Sequence, residues 1–260
     1  MNALILALIT AIGTYLAFHV PNPDDLVTSF QDAQRFYSAG AYDQAIELYE
    51  KIAKVRTRWT DLRKVKVEVG GSSFPVQEAA SYQIGNAYAK LYEEFGRFAR
   101  ETYDPARRKR FKAEADSAFS KAVAAFRHVV DAATDEELKV LAYQRLVELY
   151  YDAGRYEDVL RTARQLLAEY PEGTGAVDAY YNIGWSYYHL KDYPHAIEAF
   201  RTLLEKFPTG YRADRSLFQI GECYLEQGRY MEAIGYYQKL IDRQHIQELT
   251  EAEIERMKKE

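Results

Sequence analysis

The sequence predicts an all-α fold, a right-handed solenoid of about five helical hairpins preceded by an N-terminal hydrophobic helix. Three observations carry this. Tyrosines and leucines recur at a fixed step of 37 residues, in the registers Tyr156/Tyr193/Tyr230, Tyr150/Tyr187/Tyr224 and Leu166/Leu203/Leu240. Self-similarity at such a period is the mark of stacked supersecondary units, each too small to bury its own apolar face. The prolines fall between periodic segments and not inside them, which suits helices joined by short turns. A chain of 260 residues with 48% hydrophobic and 14% aromatic content also has ample material for a continuous core.

Residues 1–23 stand apart. They carry no charged side chain, and Ala3 to Val20 is almost entirely apolar. A run of that length reaches the lower limit for a bilayer-spanning helix, about 17 to 25 residues. A cleavable secretory signal should carry Lys or Arg before the apolar run and small residues at a cut site. Here no basic residue precedes it, and Ala11-Ile12-Gly13 is the only weak candidate site. The segment reads as an uncleaved membrane anchor, with a cleaved signal and a secreted body as the alternative. Asp24, Asp25 and Asp32 follow with only Arg35 among them, so no basic bias holds this side in the cytoplasm, and the body is expected outside it.

The solenoid is assigned to residues 24–244, with repeats at about 24–54, 76–132, 135–170, 174–208 and 211–244, and a charged segment at 245–260. In the fourth repeat Tyr180, Ile183, Gly184, Tyr187, Ala196, Phe200 and Pro208 hold the pattern; in the fifth it is Leu217, Ile220, Gly221, Tyr224, Ala233 and Tyr237. On these residues the chain resembles the tetratricopeptide repeat family, whose unit of about 34 residues has a Gly in its first helix and an Ala and an aromatic in its second. Gly184 and Gly221 are expected to let paired helices approach, opposite Ala196 and Ala233, with aromatics filling the gap between successive hairpins. The third repeat departs from the pattern with Val147 and Val159 at the Gly and Ala positions, and Thr134 with Glu137 reads as a capping box opening it. Gly40, Tyr42, Ala45 and Tyr49 place a terminal repeat upstream.

The second repeat is longer. Gly85 to Ala122 spans 37 residues where Gly184 to Ala196 spans 12, which two long helices meeting near Asp104-Pro105 absorb best. It carries Arg107-Arg108-Lys109-Arg110, read as a solvated helix face, with anionic lipid headgroups as the sharper alternative. The stretch 56–75 breaks the helical pattern: Val65, Val67 and Val69 alternate with polar residues before Gly70-Gly71, as in a short hairpin or a loop.

Catalytic and cofactor signals are lacking. No phosphate-loop or dinucleotide glycine pattern occurs, and the five histidines lack metal-ligand spacing, so no enzyme, metal or cofactor is expected. The formal charge of −5 is spread along the chain, which argues against nucleic acid. Cys223 sits inside a helical pattern and reads as a small buried hydrophobe.

What remains is binding. The resemblance implies a concave groove lined by first helices, suited to a peptide or helix of a protein partner. Its positions here are Phe30, Gln34 and Tyr37; Tyr82, Asn86 and Lys90; Gln144, Glu148 and Tyr151; Tyr181, Trp185, Tyr188 and His189; and Phe218 and Glu222. Aromatics dominate this set, and Trp185 is the strongest single candidate. Family members that grip a C-terminal carboxylate use Lys, Asn and Arg on three repeats. Asn86, Lys90, Arg145 and Asn182 lie on the relevant helices, but Asp178 stands where a cation is needed, so carboxylate capture is not expected. The anchor and the Tyr-Pro and Phe-Pro turns resemble bacterial cell-envelope members of the family, of the outer-membrane assembly and cell-division coordinator kinds. The resemblance implies a membrane-anchored scaffold on the periplasmic side. A permanent subunit of a larger membrane complex and a glycan or peptidoglycan binder are the alternatives.

Overall fold

The structure, a computed structural model, describes residues 22–56 and 61–257. Residues 1–21 of the proposed anchor segment therefore lie outside the described residues. Among those described, no helix is long and apolar enough to cross a membrane. The chain divides into two compact units with the boundary between Arg145 and Leu146.

The first unit opens with α1 (Pro23–Ser38) and α2 (Tyr42–Lys54). Asn22 caps α1 by accepting from the Asp24 amide, and Pro23 occupies the first turn, where its missing N–H costs nothing. Ala45, Ile46, Tyr49 and Ile52 form one buried stripe on α2, and the Phe30 and Tyr49 rings meet edge to face at 5.3 Å.

The non-helical stretch resolves into a turn of 3₁₀ helix and an antiparallel pair, β1 (Lys66–Val69) and β2 (Ser72–Pro75). Gly70 and Gly71 have φ of 61° and 91°, as a two-residue hairpin turn with two left-handed positions requires. Val67 and Phe74 pair across the strands and are buried, while Lys66, Glu68 and Ser73 face out. Gln34 Nε2 donates to the Glu68 carbonyl at 3.1 Å and holds the hairpin to α1, and just beyond it Gln77 Nε2 donates to the carbonyls of Ile52 and Val55 at the end of α2, at 3.2 and 2.8 Å.

α3 (Val76–Glu101) and α4 (Pro105–Ala132) run for 26 and 28 residues. Asp104 caps α4 by accepting from the Ala106 amide at 2.8 Å. Small residues let the two helices close: a Cβ built on Gly85 would lie 2.6 Å from the Phe126 ring. α5 (Glu136–Asp152) begins differently from the capping box expected. The Asp135 carboxylate accepts from the Leu138 amide at 3.1 Å. Thr134 instead donates to Glu78 at 2.7 Å, and Glu137 accepts from Ser72 at 2.6 Å. Partners distant in sequence claimed both side chains.

The second unit holds the end of α5, then α6 (Tyr156–Glu169), α7 (Thr174–His189), α8 (Tyr193–Lys206), α9 (Tyr211–Glu226) and α10 (Tyr230–Met257). α10 continues into the charged segment as far as Met257. The turns inside the hairpins are copies of one another. Arg155, Asp192 and Arg229 donate their amides to Tyr150, Tyr187 and Tyr224 at 2.8, 2.9 and 2.9 Å, the six-to-one bond that closes a helix through a left-handed residue. Gly154 and Gly228 supply that residue with φ of 68° and 71°, and Lys191 takes the same place with φ of 60°.

The core of this unit centres on Phe200, Leu203, Ala213, Ile220 and Cys223, each fully enclosed or nearly so. A Cβ on Gly184 would lie 2.5 Å from the Phe200 ring, and one on Gly221 would collide with Tyr237 in the same way. These rings therefore fill the space inside each hairpin, where the sequence pattern suggested the gap between hairpins. The bridging role falls to other tyrosines. Arg164 of α6 donates to Tyr187, and Arg201 of α8 donates to Tyr224 at 2.7 Å, so each links one hairpin to the next.

Candidate functional site

The residues expected to line one groove fall in both units. In the first, Phe30 and Tyr82 are buried against Tyr49 and Phe126 and belong to the core, a correction that follows from their facing the partner helix within the hairpin. Tyr37 is half-buried against Tyr42 with ring centroids 5.4 Å apart, and burial raises its phenol above the ordinary tyrosine value. Asn86 donates to Gln83 at 2.7 Å, and Lys90 pairs with Glu93 at 2.8 Å.

The second unit concentrates the rest. Residues 181, 185, 188 and 189 share one face of α7, and positions 218, 222 and 226 share one face of α9. Tyr181 is buried, wedged edge-on against Phe200, and Arg212 lies over its ring at 4.4 Å. Arg212 also pairs with Asp178 at 2.8 Å, which accounts for the acid found where a carboxylate clamp would need a cation. Beyond Tyr181 the face opens. Trp185 and Tyr188 are half-buried with ring centroids 5.4 Å apart, and the exposed His189 stacks on Trp185 at 5.5 Å and on Tyr156 at 4.8 Å. Tyr151 hydrogen-bonds His189 Nε2 at 2.9 Å, while Glu148 lies exposed. Burial holds the His189 imidazole below the ordinary histidine value. Phe218 is 42% exposed, and the Tyr237 hydroxyl donates to Glu222 at 2.5 Å.

Three contributors had not been expected on this face: Tyr156, Tyr193 and Glu226. Tyr193 packs on Tyr188 at 5.6 Å and donates to Glu226 at 3.3 Å. A signal for the tyrosines was present in the sequence. Tyr37/Tyr42, Tyr151/Tyr156 and Tyr188/Tyr193 are pairs five residues apart that straddle a turn, and each pair meets edge to face. The spacing places the end of one helix beside the start of the next.

Other candidates are quieter. Arg107, Arg108 and Arg110 have intrachain partners in Asp104, the Thr102 carbonyl and Glu114, and the four basic residues lie on the exposed first turns of α4. Cys223 is enclosed, and burial pushes its thiol up to about 12, away from the thiolate a nucleophile needs. No group of three or more metal-ligating side chains occurs among the described residues.

The tetratricopeptide repeat family matches residues 145–211 and 192–246, the span that builds this face. No curated protein sequence matches the chain. Among solved structures, MamA is 18% identical with a TM-score of 0.54, covering 85% of this chain and 93% of that one. A MamA from Desulfovibrio magneticus RS-1, residue 41 to its end, gives 16% and 0.53, covering 86% and 97%. A putative kinesin light chain of Podospora anserina with nearly identical TPR-like repeats gives 15% and 0.53, covering 88% and 99%. At these identities the likeness is one of fold.

Proposed function

We propose that this tetratricopeptide-repeat protein is a binding scaffold that docks a segment of a protein partner on the open face of α7 and α9, without chemistry of its own. The observation that carries the reading is the run of accessible rings formed by Trp185, Tyr188, His189, Tyr151 and Tyr156. Rigid aromatic side chains give large contact area at low conformational cost and are enriched among residues that dominate interfaces. Their mutual packing fixes them in advance, so little ordering remains to be done when a partner binds. Trp185→Ala tests this: partner affinity should fall by about 2 kcal/mol or more while the helical content is retained. Unchanged affinity in a folded variant refutes the assignment.

The uncharged residues 1–23 support a setting for this scaffold: attached through that segment to a membrane, with the repeats on the extracytoplasmic side of a cell envelope. N-terminal sequencing of the membrane fraction tests the attachment, since a shortened chain recovered in the soluble fraction overturns it.

A further inference from the structure

The open face is not electrically neutral. Glu222 and Glu226 lie one turn apart on α9, and neither has a lysine or arginine partner among the described residues. Their hydrogen-bond donors are tyrosine hydroxyls, Tyr237 to Glu222 at 2.5 Å and Tyr193 to Glu226 at 3.3 Å. Tyr193 in turn packs on Tyr188, and Tyr188 on Trp185, so two carboxylates flank three connected rings. Burial, then the nearby Glu226 and Glu222 carboxylates, raise the Tyr188 phenol above its ordinary value. Elsewhere in the same unit, aromatic faces already carry an internal cation: Arg212 covers Tyr181, Arg229 covers Tyr224, and Lys239 covers Tyr236. No such cation covers Trp185, Tyr188 or Tyr193 among the described residues.

We propose that the Trp185–Tyr188–Tyr193 rings with Glu222 and Glu226 receive a lysine or arginine side chain of the partner segment. Charge complementarity selects this occupant. A ring face attracts a cation through its quadrupole, and a neighbouring carboxylate adds a charge-assisted hydrogen bond. An acidic segment would meet two carboxylates that no cation among the described residues neutralises and be repelled. The inference rests on the docking face proposed above and adds to it the chemistry of what docks there.

Trp185 fluorescence in the full chain carrying Trp59→Phe reports on the site, because these are the two tryptophans of the sequence. The probes are capped octapeptides of alternating Lys-Gly, Glu-Gly or Ser-Gly. The Lys-Gly peptide should give a saturable change, and Glu222→Gln with Glu226→Gln should weaken it at least fivefold while keeping an acceptor for each tyrosine. Glu198→Gln with Glu205→Gln, the same charge change at exposed positions on α8, should leave it unaltered. Circular dichroism verifies that each variant is folded. Equal binding by the Glu222/Glu226 variant, or an equal loss in the α8 control, overturns the proposal. If the Glu-Gly or Ser-Gly peptide saturates the signal as tightly as Lys-Gly, the face still docks peptide and only its preference for a cation is wrong. If Trp185 responds to none of the three, the cation site is refuted, and the docking face is judged separately by the affinity of Trp185→Ala for a protein partner.

Discussion

Replacing Gly184 by alanine would place a methyl group 2.5 to 2.7 Å from three carbons of the Phe200 ring. Carbon atoms prefer about 3.5 to 4.0 Å, so the ring must retreat by about 1 Å. It has nowhere to go, since Phe200 is fully buried among Ala196, Leu203 and Ala213. Overpacking of this kind costs about 1 to 3 kcal/mol, and the better helix propensity of alanine returns about 1 kcal/mol, which leaves a net loss of up to about 2 kcal/mol. Gly235 on α10 is the control, because a Cβ there meets nothing within 4 Å. The same change at Gly235 should stabilise by about 1 kcal/mol. Urea unfolding followed by far-UV circular dichroism measures both. Phe200→Leu should relieve the clash, so the Gly184→Ala/Phe200→Leu pair should lose about 1 kcal/mol less than the sum of the single changes. Equal responses at Gly184 and Gly235, or strict additivity with Phe200→Leu, would refute the close-approach argument.

Lys191→Gly should raise stability by about 0.5 to 1 kcal/mol in the same assay, since Lys191 holds the left-handed turn position that glycine fills at 154 and 228. Tyr49→Phe should be neutral or stabilise by about 1 kcal/mol, because the buried Tyr49 hydroxyl has no hydrogen-bond partner to lose. For His189 the folded state favours the neutral ring, so it binds fewer protons than the unfolded chain. Its contribution to stability is complete above about pH 6.5 and is lost as pH falls below that value. His189→Gln should therefore flatten part of the fall in melting temperature between about pH 7 and about pH 5.

The hairpins were legible in the sequence because their determinants are local and repeat. Gly184 with Phe200, and Gly221 with Tyr237, recur at one period, and apolar stripes such as 45, 46, 49 and 52 mark the buried side of each helix. Which surface each ring would fill was harder to read. The 37-residue step fixes which helix carries Tyr181 or Trp185, but not that Phe200 turns back into its own hairpin and leaves Tyr181 to pack on it. Thr134 and Glu137 were misread for a related reason: the cap pattern is local, while Glu78 and Ser72, which claim those side chains, lie 56 and 65 residues away. The proposed binding face was half legible. The groove positions implied by the family resemblance included Trp185, Tyr188 and His189, whereas Tyr193 and Glu226 reach the face only through a turn and a neighbouring helix.

Site-specific photocrosslinking in cells that produce the protein tests the central claim most directly. A photoreactive phenylalanine analogue is placed at Tyr188 on the open face and, in a separate variant, at the exposed Glu198 of α8. The account expects a discrete protein adduct from position 188 that is absent from position 198 and is abolished by Trp185→Ala. An adduct from position 198 alone, or one from position 188 that survives the loss of Trp185 undiminished, would contradict it.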